Sequence, residues 1–160
     1  MVILEFADFQ CRGCRAFTQG AIRGVRANYP KDVAIVFRHW PLPYHEHAYE
    51  AARAAECAAV ADRFTAFHDR AYEYQDSLGT VSMSRIAAEA GVVDMPRFEL
   101  CMSDTARVPS VEAGILAARA VQASGVPTIA INGKLLPNVP DSAALDLMVR
   151  NALGRDNSTD

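Results

Sequence analysis

The chain has 160 residues, 51% of them hydrophobic and 22% charged, which is enough for one well-buried core and too short for two ordinary domains. A net charge of -3 and a pI near 5.8 supply no broad attraction for phosphate backbones or anionic lipid, so nucleic acid is not an expected partner. No stretch approaches the ~18 consecutive apolar residues of a membrane span, and no basic region with a cleavable apolar segment opens the chain; Met1 stands almost on the first strand, which leaves open an export signal or anchor removed upstream.

Val2 to Phe6 is a short apolar run with β-branched members and one acid, Glu5, the pattern of a buried strand. Cys11 to about Asn28 then carries Cys14, Phe17, Ala21 and Val25 at helical spacing, with Arg15, Arg23 and Arg26 for the wet side, and Pro30 closes the helix. Val33 to Phe37 is a second strand. Trp40-Pro41-Leu42-Pro43 is a stiff turn, because each proline restricts the residue before it. An alanine-rich helix follows from His47 to Asp62, with Ala54, Cys57, Ala61 and Phe64 on one stripe. Further helices are expected from Phe64 to Gln75 and from Ser84 to Ala90, with Ser82 as N-cap and Gly91 as stop. A short one begins at Asp94 and Pro96 and carries Phe98 and Cys101, and a longer one with Pro109 near its start ends near Ser124. Thr128 to Ile131, Asn132-Gly133 and Lys134 to Leu136 read as a hairpin, the turn pair being one that tolerates positive φ. Asp141 caps a last helix to about Leu153, and residues 154–160 form a polar, flexible tail in which Asn157-Ser158-Thr159 matches a glycosylation acceptor. No repeat or linker splits the chain, so residues 1–153 are expected to be one domain.

The chemistry concentrates at Cys11-Arg12-Gly13-Cys14, a CxxC that ends a strand and opens a helix. Only a thiolate attacks a disulfide, and Cys11 would face the unpaired N–H groups of a helix N-terminus with the fixed charge of Arg12 beside it, both of which favour ionisation. Cys14, one turn on, could reach Cys11 while shielded from solvent. Cys11 is therefore the expected nucleophile, Cys14 the resolving thiol and Arg12 a stabiliser of the thiolate. Half of a zinc site is the competing explanation, but no second CxxC or close Cys/His pair completes it and no metal is expected. His45 and His47, around Glu46, are taken as a solvated helix start, and Asp8 as a loop carboxylate that opposes Cys11 ionisation only weakly. Glu5 is either a solvent-facing acid without a role or a buried carboxylate of raised pKa. Cys57 and Cys101 are either two reduced core thiols or a bridge, and Pro127 in Gly125-Val126-Pro127-Thr128 reads by itself as a rigid turn before a strand.

The order β, α, β, several helices, β, β, α resembles the DsbA-like branch of the thioredoxin-fold oxidoreductases. Beyond the CxxC and Val126-Pro127-Thr128, the matching stretches are Glu5 to Gln10, Arg38-His39-Trp40-Pro41-Leu42 and Ala54 to Ala58, and the likeness covers about residues 1 to 152. It implies an α/β thioredoxin-like fold with a helical insertion at about residues 46–124, between the second core strand and the hairpin. It implies a cis peptide before Pro127, with Val126 offering backbone groups to an extended substrate. The likeness also implies a Glu5 beneath the active site that accepts the Cys14 proton, catalytic with Cys11 and Cys14, and a structural Cys57–Cys101 bridge. Such a bridge would close a loop of about 45 residues, for which the chain-entropy model gives about 4 kcal/mol, and would favour a periplasmic or other extracytoplasmic setting. The implied function is thiol-disulfide oxidoreductase, as oxidase before reductase or isomerase, acting on cysteine-containing proteins without a cofactor and recycled by a redox partner. The absence of a His between the cysteines argues against the most oxidising potentials. The competing functions are a glutathione-dependent transferase or isomerase, against which Cys14 speaks, and a redox-inert interaction domain fused to a membrane protein.

Overall fold

A computed structural model describes residues 1–155; the Asn157-Ser158-Thr159 triplet and the end of the expected tail lie outside the described residues. Four strands make one sheet in the order β2-β1-β3-β4, with β1 Val2–Ala7, β2 Ala34–His39, β3 Thr128–Ile131 and β4 Lys134–Leu135. β1 pairs in parallel with β2 and antiparallel with β3, so Glu5 stands between Phe37 and Ile129. A strand flanked on both sides and covered on both faces buries nearly everything it carries. That is why Ile3, Glu5, Phe6 and Ala7 are all buried, the single acid included.

The CxxC helix consists of α1 Arg12–Phe17, a π turn at Thr18–Ile22 and α2 Arg23–Asn28. The expected helical stripe is the buried one: Cys14, Phe17, Ala21 and Val25 all face the core. The π turn was not visible in that stripe, since one extra residue in a turn leaves the apolar spacing nearly intact. With α8, Ser142–Ala152, this helix covers one side of the sheet around Ile3, Ile22, Ile129, Leu145 and Val149.

Five helices run between β2 and β3: α3 Ala48–Ala59, α4 Phe64–Glu73, α5 Met83–Glu89, α6 Met95–Ser103 and α7 Pro109–Ala120. Their starts follow local chemistry. Ser82 accepts from the Arg85 N–H at 3.2 Å and Asp94 from that of Arg97 at 3.1 Å, as Asp141 does from Ala144 at 2.8 Å for α8. Pro109 occupies the first turn of α7, where its missing N–H is not needed. Alanine lets α3 pack closely: Ala51, Ala54, Ala55 and Ala58 are fully buried against Phe67, Tyr72 and Ile86. On α7, a Cβ at Gly114 would overlap the His39 carbonyl oxygen, so glycine permits that helix to rest on β2.

Several boundaries differ from expectation. α3 stops at Ala59, and the chain turns through Asp62 at φ 57°, which leaves Ala61 exposed and off the stripe. α4 gives way to a 3-10 turn at Gln75–Ser77, and α7 ends at Ala120 before Gln122 at φ 55°. In the hairpin Asn132 and Gly133 take φ of 48° and 83°, and β4 stops one residue short of Leu136. Gly154 and Arg155, expected to be flexible, bond back to α8 through their N–H groups at 3.1 and 2.8 Å.

Candidate active site

β1 ends in a loop, residues 8–10, that delivers Cys11 to the N-terminus of α1. The loop is fixed mainly from outside itself. Asp8 Oδ1 accepts the Gln10 N–H at 2.7 Å, and its Oδ2 accepts the Leu42 N–H at 2.7 Å and lies 2.9 Å from His45 Nδ1. The Tyr72 hydroxyl donates to the Asp8 carbonyl at 3.3 Å. Gln75 Nε2 donates to the carbonyls of Phe9 at 2.6 Å and Cys11 at 3.0 Å, and the His47 N–H donates to Gln10 Oε1 at 2.5 Å.

Asp8 stands in the loop as expected, and its charge is a minor influence on Cys11; it is nevertheless buried, three donors compensating its loss of water. One expectation is corrected: His45 and His47 are not simply a solvated helix start, since one is tied to Asp8 and the ring of the other fills the place a Cβ would take at Gly79, whose φ is 94°. Among the described residues no three His, Cys, Asp or Glu side chains converge in a metal-binding group.

Cys11 is the N-cap of α1, with its sulfur accepting the Cys14 N–H at 3.3 Å and its thiol donating to the Val126 carbonyl at 3.4 Å. Hydrogen bonds from the Cys14 thiol and from the backbone N–H groups of Cys14 and Gly13 pull its pKa down to about 6 against the opposing effect of burial. The expected help from Arg12 is absent from these causes; Arg12 is exposed, and its charge is felt instead at Asp76. Cys14 is completely buried, and burial, followed by its hydrogen bond to Cys11, pushes its pKa far up. Both thiols are free.

Glu5 is 1% exposed and its Oε1 has no hydrogen-bond partner among the described residues. Burial lifts its pKa to about 8, with Arg26 opposing and the Cys11 charge adding to the rise. Arg26 is itself held by both oxygens of Asp69, which also bonds His68 at 2.8 Å. The Val126–Pro127 peptide is cis. Pro127 Cδ comes within 3.3 Å of where a Cβ on Gly13 would stand, so the proline packs directly over the residues between the cysteines.

In the helical insertion, Cys57 and Cys101 form a disulfide with Cα atoms 5.8 Å apart. Cys57 is buried, and Cys101, partly so, packs against the same core cluster. The bridge forms part of the wall of a surface cavity of about 560 Å³ between α3 and α6.

Residues 1–150 match the family model described as Thioredoxin. Among solved structures, BdbD from Bacillus subtilis superposes with a TM-score of 0.82 at 18% identity, covering 96% of this chain and 87% of that one. A thioredoxin-like oxidoreductase from Silicibacter pomeroyi DSS-3 gives 0.71 at 26% identity, covering 96% and 86%. A curated relative, the Na(+)/H(+) antiporter NhaA 1 of Mycolicibacterium gilvum (strain PYR-GCK), is 34% identical over 91% of this chain and 24% of that protein. The chain thus spans about a quarter of the length of the curated relatives it matches. It belongs to the thioredoxin family, and its fold is that of the DsbA-like thiol-disulfide oxidoreductases.

Proposed function

We propose that the chain exchanges disulfides with cysteine-containing protein substrates, as an oxidase, with Cys11 as nucleophile, Cys14 as resolving thiol and Glu5 as the proton carrier of Cys14. The observation that carries this reading is the opposed placement of the two thiols: Cys11 caps a helix start whose N–H groups lower its pKa, and Cys14 is buried, which raises its own. In the oxidising direction a substrate thiolate attacks Cys11 Sγ of the Cys11–Cys14 disulfide. The S–S bond breaks, and Cys14 leaves and takes a proton from Glu5, which holds one at pH 7 because its pKa is about 8. A second substrate thiolate then attacks the substrate sulfur of the mixed disulfide and expels Cys11 as a stable thiolate. The substrate loses two electrons, the cysteine pair gains them, and a redox partner must remove them again. Val126 and Pro127 are suited to hold an extended substrate, since proline donates no backbone bond and leaves its neighbour's groups free to pair.

Hydrogen bonds from Cys14 and Gly13 hold the Cys11 thiol below its ordinary range, as an attacking thiolate requires. An extracytoplasmic setting is supported by the Cys57–Cys101 disulfide, and none of the described helices is long and apolar enough to cross a membrane. The chemistry calls for no cofactor. A second reading, a domain that serves a membrane protein by contact alone, draws support from the antiporter relatives. Alkylation separates the two: a Cys11 rate that titrates near pH 6, together with oxidation of a reduced unfolded protein, supports exchange. A titration near the free-thiol value of about 8.5 and no oxidation would overturn it.

A further inference from the structure

The clamp on residues 8–11 contains one partner whose charge can change. The Asp8 side chain is fully buried, and two of its three partners are backbone N–H groups, which are neutral at every pH. The third, His45, has a side chain 23% exposed, so its proton exchanges with solvent. Imidazole is the side chain that changes charge between about pH 5 and 8. Asp8 also adjoins the nucleophile. Its carbonyl accepts the Cys11 N–H at 3.1 Å, and its negative charge works against the ionisation of Cys11.

We propose that His45 is a positioning residue for the exchange reaction that relays pH to Cys11 through Asp8. With its proton, His45 cancels the Asp8 charge and the Cys11 thiolate is favoured; without it, the buried carboxylate faces Cys11 unopposed. The inference rests on Cys11 being the attacking thiol.

The other ionisable groups around the pair do not duplicate this role. From β1, Glu5 keeps its proton up to about pH 8, and Cys14 of α1 stays neutral through burial. From α4, burial keeps the Tyr72 phenol neutral and lowers the proton affinity of His68, which bonds Asp69. His39 of β2 faces Glu56 at 2.9 Å, and His47 lies 3.9 Å from Glu50. Tyr44 packs edge-on to the His45 ring at 4.7 Å.

Coupling of this kind is reciprocal: if the His45 proton favours the thiolate, then forming the thiolate raises the proton affinity of His45 by the same factor. Because the thiolate is one residue removed from direct contact, a factor of about threefold, half a pKa unit, is expected. The first test needs no variant. The His45 imidazole is titrated by NMR in the oxidised and the reduced protein, and its midpoint should stand about half a unit higher in the reduced form. The second uses His45→Gln, whose amide can still donate to Asp8 but carries no charge. Thiolate absorbance should then titrate about half a unit higher than in the wild type, and Asp8→Asn should erase that difference in the double variant. Identical imidazole titrations in the two redox states, or superimposable thiolate curves for His45→Gln and wild type, would overturn the relay. Neither readout requires substrate turnover, so a protein inert toward substrates would sink the proposed function and still report on the relay.

Discussion

The two cysteine pairs of this chain are made of the same residue and have opposite characters. Cys11 and Cys14 lie within one helical turn, remain free and differ widely in proton affinity, whereas Cys57 and Cys101, 44 residues apart, are bonded. The difference comes from the elements that carry them. The first pair sits where a helix begins, so one sulfur receives backbone N–H groups that the helix cannot use, and the other is driven into the core beside a buried acid. The second pair joins the last turns of two packed helices, α3 and α6, far from either helix start. Reactivity is thus assigned by position on a helix, and a thiol away from a helix start is left to stabilise.

The largest expected effect lies in the first pair. Cys11→Ser should abolish exchange, and Cys14→Ser, given a substrate disulfide, should leave Cys11 attack intact while mixed disulfides accumulate, because the site no longer holds the thiol that resolves them. Non-reducing gels of trapped adducts check this, and reversed phenotypes would exchange the two roles. Next, replacing the second pair by Cys57→Ala with Cys101→Ala should cost about 4 kcal/mol in denaturant unfolding by the loop-closure estimate, while leaving the alkylation midpoint of Cys11 unmoved. A shifted midpoint would mean that the insertion's disulfide tunes the site, and the separation between the two pairs would break down.

How much of this was legible depended on range along the chain. The caps at Ser82, Asp94 and Asp141 and the Asn132-Gly133 turn are contacts over a few residues, and the residue types announce them. The clamp on residues 8–11 is different, since its partners Leu42, His45, Tyr72 and Gln75 arrive 34 to 66 residues later, and nothing in residues 8–11 names them. The only local sign was an Asp three residues before a helix-opening cysteine, a spacing at which its carbonyl can accept the cysteine N–H. Arg12 shows a related limit: adjacency in sequence says nothing about direction, and at the helix start its side chain is exposed. The alternation of β1 did put Glu5 on the same face as the buried Ile3, but the strand's burial on both faces needed the partners β2 and β3.

The smallest effect sharpens the comparison most, because Glu5 lies beneath one cysteine pair and has no counterpart assigned at the other. In the direction that oxidises the pair, Cys14 must lose its proton as it attacks the mixed disulfide at Cys11. A Glu5 carboxylate can accept it. With a pKa of about 8, the ionised fraction rises tenfold per pH unit below that value and levels off above it. Resolution by the wild type should follow the same curve. The Cys11 negative charge is one cause of the raised Glu5 pKa, and it vanishes when Cys11 enters the mixed disulfide, so the plateau should begin somewhat below pH 8 in stopped-flow resolution. Glu5→Gln should slow resolution by at least about tenfold at neutral pH, abolish the plateau and leave the rate of Cys11 attack within a factor of about three. Stability carries an independent sign. Between the unfolded pKa of 4.5 and the folded value of about 8, the folded state holds more protons than the unfolded one, so wild-type stability falls as pH rises through this window. The Gln variant has no such proton to lose. Its melting temperature relative to wild type should therefore climb from pH 5 to pH 8, and a flat difference across that range would remove the buried ionisable Glu5 from the account of this site.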